Sequence, residues 1–159
     1  MTAAHSTLTM AQTGLLILAH APLASALQAV AQHVYPDCAP RLLALDVPAG
    51  MTPAEVEHRA LELIDQAAFD EVLILTDVFG ATPCNVAERL GSRRPIRVLS
   101  GVNVPMLWRA LCYVDEPLDQ LAERALSGAA QGVMPVSSRG PQYQERTISH
   151  AHQQRHDQQ

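Results

Sequence analysis

Four short strand-length runs, each followed by a segment with helical spacing, constrain this chain more than any other feature. The runs are Leu15 to Ala19, Arg41 to Val47, Val72 to Thr76 and Ile96 to Ser100. Leu15 to Ala19 is apolar throughout, which suits a strand buried on both faces and hence a sheet covered by helices on each side. Leu23, Leu27, Val30, Ala31 and Val34 recur at helical spacing after the first run. After the second, Thr52-Pro53-Ala54-Glu55 reads as a capping box with proline at the first helical position, leading into Val56, Ala60, Leu63, Ile64 and Ala67.

Thr82-Pro83 opens a third helical segment, with Val86, Ala87 and Leu90 facing inward, and Thr82 itself is a candidate cap. Asn103 can cap a fourth, containing Pro105, Leu107, Trp108 and Leu111. A last helix starts near Pro117, carries Leu118, Leu121, Ala125 and Leu126, and is expected to stop at Gly128. Four repeats of strand and helix with short connections predict an α/β fold with a mainly parallel four-stranded sheet between two helical layers.

The length of 159 residues fits one domain. The organisation expected is a flexible extension over 1–13, a domain over 14–136, and a Gln- and His-rich tail over 137–159. That tail is too poor in aliphatic side chains to order itself. The net charge of −5 and the lack of any basic run argue against nucleic-acid binding. Cys38, Cys84 and Cys112 lack CxxC spacing, so neither a disulfide framework nor structural zinc is expected, and a cytoplasmic setting fits reduced thiols. GLLILA is too short to span a bilayer. Neither GxGxxG nor GxxxxGK[ST] occurs, so no nucleotide cofactor is expected, and no metal site either. GxSxG is absent too, which weakens a hydrolase reading.

Ligands in such sheets gather at the carboxyl ends of the strands, near a switch in strand order. His20 follows the first strand, Asp77 the third, and Gly101-Val102-Asn103 the fourth. With strand order 2-1-3-4, the first and third strands are neighbours and His20 can meet Asp77. A carboxylate bonded to one ring N–H leaves the other nitrogen's lone pair facing outward and stabilises the cation formed when that pair attacks an electrophile. Gly80-Ala81-Thr82-Pro83 leads into a helix start, whose backbone N–H groups and Thr82 hydroxyl form an anion site. Histidine, carboxylate and anion cradle together suit a phosphoryl carrier.

Three segments, LILAHAPLAS, LTDVFGATPCNVA and LSGVNVPMLWRAL, resemble the enzyme IIA domain of the mannose/fructose/sorbose branch of the bacterial sugar phosphotransferase system. The resemblance spans about residues 14 to 134. It implies flavodoxin-like winding and a homodimer that exchanges a C-terminal antiparallel edge strand, here over 132–136. It also implies that His20 takes a phosphoryl group from phospho-HPr and passes it to an enzyme IIB partner, with Asp77 orienting the imidazole so that Nε2 reacts. Gly80, Ala81 and Thr82 would bind the phosphoryl group, and Ala21, Val102 and Asn103 would belong to the partner surface. IIB would be a separate protein, and membrane contact would come only through a permease complex. Ala21-Pro22 departs from the family, where glycine often follows the histidine.

Two other functions compete. A phosphoryl-donor subunit of dihydroxyacetone kinase shares the fold and the histidine, although GVNVPML favours the mannose-type reading. A non-catalytic flavodoxin-like binding module would use His20 only as a ligand contact. A Cys84 nucleophile lacks a visible base and orienting group.

Overall fold

The computed structural model describes residues 11–136. Strands and helices alternate as β1 (Thr13–His20), α1 (Leu23–Val34), β2 (Leu42–Val47), α2 (Pro53–Ala67), β3 (Glu71–Thr76), α3 (Thr82–Gly91), β4 (Ile96–Ser100) and α4 (Val104–Cys112). A second consecutive helix, α5 (Leu118–Gln131), closes the domain, and a 3-10 turn over Pro36–Arg41 precedes β2. The sheet order is β2-β1-β3-β4 and every pairing is parallel. The chain therefore winds outward from β1 in one direction, crosses back, and winds outward from β3 in the other. The β1/β3 boundary is the switch point at which such sheets place their ligands.

The two-residue period of β1 divides the core. Leu15, Ile17 and Ala19 face α1, α4 and α5, where Leu27, Leu107, Leu111 and Leu121 meet them. Leu16 and Leu18 face α2 and α3, against Val56, Ile64, Val86 and Leu90. Removing side chains of this size from water stabilises the fold by about 1.5–3 kcal/mol each before entropy is set against it. His20, the last residue of β1, is the first on that strand to emerge into solvent.

Several local expectations need correction. Leu126 is 55% exposed, because the buried stripe of α5 runs through Leu118, Leu121, Ala125 and Gly128. The helix also continues past Gly128 to Gln131. This glycine is there for close approach to α4, since a Cβ on it would lie 2.6 Å from Arg109 Cβ. Thr82 is the first helical residue of α3 and Ala81 holds the cap position, because Gly80, at φ +81°, completes the turn one residue earlier than expected. The apolar stripe of α1 is narrower than its spacing implies, with Val30 and Val34 about 40% exposed.

Residues 133–136 form no strand in the single chain, and Val133, Met134 and Val136 are exposed. The expected extension, apart from residues 11–13, and the Gln- and His-rich tail lie outside the described residues.

Gly128 offers a direct test of the α4–α5 packing. Alanine would favour a helix interior by about 1 kcal/mol. The added methyl would press on Arg109 Cβ and on the Pro105 carbonyl at 3.1 Å, neither of which is a flexible tip. Overpacking of this kind costs about 1–3 kcal/mol. Gly128→Ala should therefore lower the urea midpoint, with a net loss of about 1 kcal/mol. A rise in the midpoint would mean that α5 can draw back from α4 without cost.

Candidate functional site

Asp77 follows β3 and sits beside the end of β1, because Leu18 is in register with Thr76. One of its oxygens, Oδ2, accepts the backbone N–H of His20 at 3.0 Å and lies 2.6 Å from His20 Nδ1. Oδ1 accepts the Val78 N–H at 2.9 Å. An ionised carboxylate can only accept, so Nδ1 carries the proton in this contact. The imidazole is thereby held as the tautomer in which Nε2 keeps its lone pair, and no hydrogen bond engages Nε2 among the described residues. The His20 side chain is 51% exposed and that of Asp77 only 13%. The imidazole faces solvent while its partner is largely enclosed.

Burial tends to raise the Asp77 pKa, but the hydrogen bonds from the His20 ring, the His20 backbone and Val78 outweigh it. The carboxyl is held below its ordinary value. Two backbone bonds from the segment after β4 fix the Asp77 main chain. Gly101 N–H donates to the Asp77 carbonyl at 3.1 Å, and Val102 N–H to the Thr76 carbonyl at 2.9 Å. Gly101 makes this turn at φ +85°, a conformation that side chains resist.

The start of α3 lies on the same loop. Its first helical bond runs from the Asn85 N–H to the Ala81 carbonyl. The N–H groups of Thr82 and Cys84 precede that ladder, and Pro83 has none to offer. No side chain caps this end, and no acidic residue lies in its first turn. The Thr82 hydroxyl has no hydrogen-bond partner among the described residues. Asn85 Nδ2 donates to the Gly80 carbonyl at 3.2 Å, holding the turn that aims these groups.

Of the residues singled out in the sequence, His20 and Asp77 are in direct contact, and Gly80, Ala81 and Thr82 follow Asp77 at the same sheet edge. Ala21 is exposed beside His20. Val102 packs partly into the core. Both ends of the Asn103 side chain are used within the chain, with Oδ1 accepting the Met106 N–H at 2.8 Å and Nδ2 donating to the Ala129 carbonyl at 3.3 Å. Sequence reasoning missed the supporting bonds of Asn85 and Gly101, although both residues stand inside motifs it quoted. A groove of about 520 Å³ between Tyr35, Trp108 and Met134 includes none of these site residues. Among the described residues there is no cluster of three or more metal-ligating side chains, and no helix is long and apolar enough to cross a membrane.

The Asp77 contacts have a pH signature. A carboxyl whose folded-state pKa lies below its unfolded value of about 3.9 adds stability above that value and loses it as pH falls through the folded one. Asp77→Asn should be less stable than the wild type at pH 7 by about 1.5–3 kcal/mol, the range for hydrogen bonds to a charged group. The gap should narrow as pH falls below about 4 and on through the lowered folded-state pKa. A gap independent of pH over that interval would show that the Asp77 charge contributes nothing to folding.

Comparison with known proteins agrees with this fold. Residues 14–126 match the family described as PTS system fructose IIA component. No curated protein matches the chain significantly. A phosphotransferase system component EIIA from Streptococcus agalactiae superposes with a TM-score of 0.70 at 25% identity, over 77% of this chain and 96% of that one. The mannose/sorbose specific IIA subunit from Enterococcus faecalis gives 0.73 at 22% identity, over 81% and 98%. The IIA protein associated with the fucose utilization operon of Streptococcus pneumoniae gives 0.66 at 24%, over 78% and 93%. The last two, at their identities, speak for the fold alone. With the family match covering well over half of its length, the chain belongs to the fructose/mannose-type IIA components of the sugar phosphotransferase system.

Proposed function

We propose that the protein is a phosphohistidine carrier that takes a phosphoryl group from phospho-HPr onto His20 and passes it to an enzyme IIB partner. The observation that carries this reading is the Asp77 contact to Nδ1, which leaves Nε2 as the nucleophile on a half-exposed ring. In the accepting step, the Nε2 lone pair attacks phosphorus. The bond from phosphorus to the donor's imidazole nitrogen breaks, and its electron pair returns to that nitrogen. The Nδ1 proton stays between His20 and Asp77, so the positive charge gained by the ring faces the carboxylate. Transfer onward to IIB reverses these roles.

The phosphoryl oxygens are received by the Thr82 hydroxyl and by the N–H groups at the open start of α3, with Gly80 and Ala81 shaping the turn. Transfer between proteins requires a surface rather than a pocket. Val78 and Phe79, 51% and 77% exposed in the loop that follows Asp77, supply apolar contact area beside the histidine, with Ala21 on its other side. Val102 braces this edge through its N–H bond to the Thr76 carbonyl, and Asn103 serves as the cap of α4. A homodimer by strand exchange is supported by the apolar residues Val133, Met134 and Val136 and by β4, whose outer edge has no strand partner among the described residues. Any membrane association then runs through a permease complex.

Incubation with phosphoenolpyruvate, enzyme I and HPr should add one acid-labile phosphoryl group, read by intact mass. His20→Ala should abolish it, and Asp77→Asn should slow its appearance by about 10²-fold or more, as loss of an orienting carboxylate does elsewhere. Persistence of the adduct in His20→Ala would sink the carrier reading. Ala81→Asp separates stability from function. A carboxylate at the open cap position should stabilise α3 by about 1 kcal/mol. By occupying the same N–H groups it should also suppress phosphorylation. Unimpaired phosphorylation of Ala81→Asp would remove the α3 start from the mechanism.

A further inference from the structure

The sheet edge that carries His20 holds a second carboxylate, that of Asp46. It is the penultimate residue of β2, in register with Ala19, directly before the histidine. Helix α1 begins three residues after His20, with Pro22 at its cap position, no side-chain cap of its own and no acidic residue in its first turn. A bare helix start of this kind carries orphan N–H groups and the positive end of the helix dipole. Asp46 closes it from the neighbouring strand, with Oδ1 accepting the Ser25 N–H at 3.1 Å. The adjacent Val47 carbonyl accepts the Ala21 N–H at 3.1 Å, and the Ser25 hydroxyl donates to the Pro22 carbonyl at 3.1 Å. The end of β2 thus grips the His20–Ser25 turn at two points, opposite the side on which Asp77 holds the ring.

The other helix starts at this edge make the arrangement selective. Helix α2 is closed by Thr52 and Glu55, and α4 by Asn103. With α1 closed by Asp46, α3 is the one helix following a strand that begins without a side-chain acceptor among the described residues. A phosphoryl group on His20 stands near two helix starts, one filled with negative charge and one open. Electrostatics then drives its oxygens toward α3 and away from α1.

We propose that Asp46 is a positioning residue for phosphoryl transfer: its carboxylate closes the start of α1 by holding the Ser25 N–H, and directs the phosphoryl group to the start of α3. This rests on the carrier reading above. It adds a role for a residue that touches neither the histidine ring nor, in this account, the phosphoryl group.

The test compares wild type, Asp46→Asn and Asp46→Ala in transfer from phospho-HPr. Asparagine keeps an oxygen for the Ser25 N–H and removes only the charge; alanine removes both. Asp46→Asn should keep the wild-type KM for phospho-HPr and lose only the small stability that its charge gives the start of α1, while kcat falls about fivefold, the scale of one helix-dipole interaction. Asp46→Ala should lose more kcat and more stability. Inorganic phosphate, followed by amide NMR, should shift the Thr82 and Cys84 signals in the wild type and spread to residues 23–25 in Asp46→Asn. Full kcat in Asp46→Asn with unchanged phosphate shifts would reduce Asp46 to a helix cap and overturn the proposal. A change confined to KM would overturn it as well, by making Asp46 a partner contact. Should wild type itself take no phosphoryl group on His20, the carrier reading fails and not merely the role of Asp46.

Discussion

The functional end of this molecule depends on one carboxylate held between two strands. Asp77 accepts a hydrogen bond from the backbone and another at the ring of the residue that ends β1, while its own main chain is pinned by the segment after β4. A histidine at the end of a strand would otherwise be free to swing on its χ angles. The double contact sets the ring's orientation and tautomer together, and the parallel register Leu18↔Thr76 makes it geometrically possible. The α/β winding therefore does more than bury Leu15 to Ala19. It brings residues 57 positions apart in sequence within hydrogen-bond distance at the one place where the sheet order reverses.

Around that contact three helix starts are closed by side chains and one is left open. Thr52 with Glu55, Asn103 and Asp46 close three of them, each in a different way: a local capping box, a local side chain, and a carboxylate from the next strand. At the start of α3 an alanine occupies the position where serine, threonine, aspartate or asparagine would contribute about 1 kcal/mol. On the proposed carrier reading, leaving that end uncapped forgoes local stability in exchange for donors aimed at an anion, which is where a functional site is expected to break a local rule.

Much of this was legible in the sequence because it is local or periodic. Apolar runs mark the strands, Thr52-Pro53-Ala54-Glu55 marks α2, and His20 ends a strand while Asp77 and Asn103 follow one, so strand order alone brings the first two together. The length of α5 was not legible, because Gly128 reads as a helix stop and its actual reason, the approach of Arg109, comes from another helix. Thr82 read as a cap because the turn at Gly80 could not be counted to the residue. The role of Asp46 was hidden for a related reason: it caps a helix 21 residues away, and only the register of β1 with β2 reveals the pair. The segment over 132–136 is a third kind of case, since strand exchange requires a second copy of the chain.

The account stands most directly on which atom carries the phosphoryl group. Phosphorylated protein with ¹⁵N-labelled histidine can be examined for phosphorus–nitrogen coupling. Because Asp77 occupies Nδ1, the account predicts coupling to Nε2 of His20 and retention of the Nδ1 proton. Coupling to Nδ1 of His20, or to a different histidine, would contradict it.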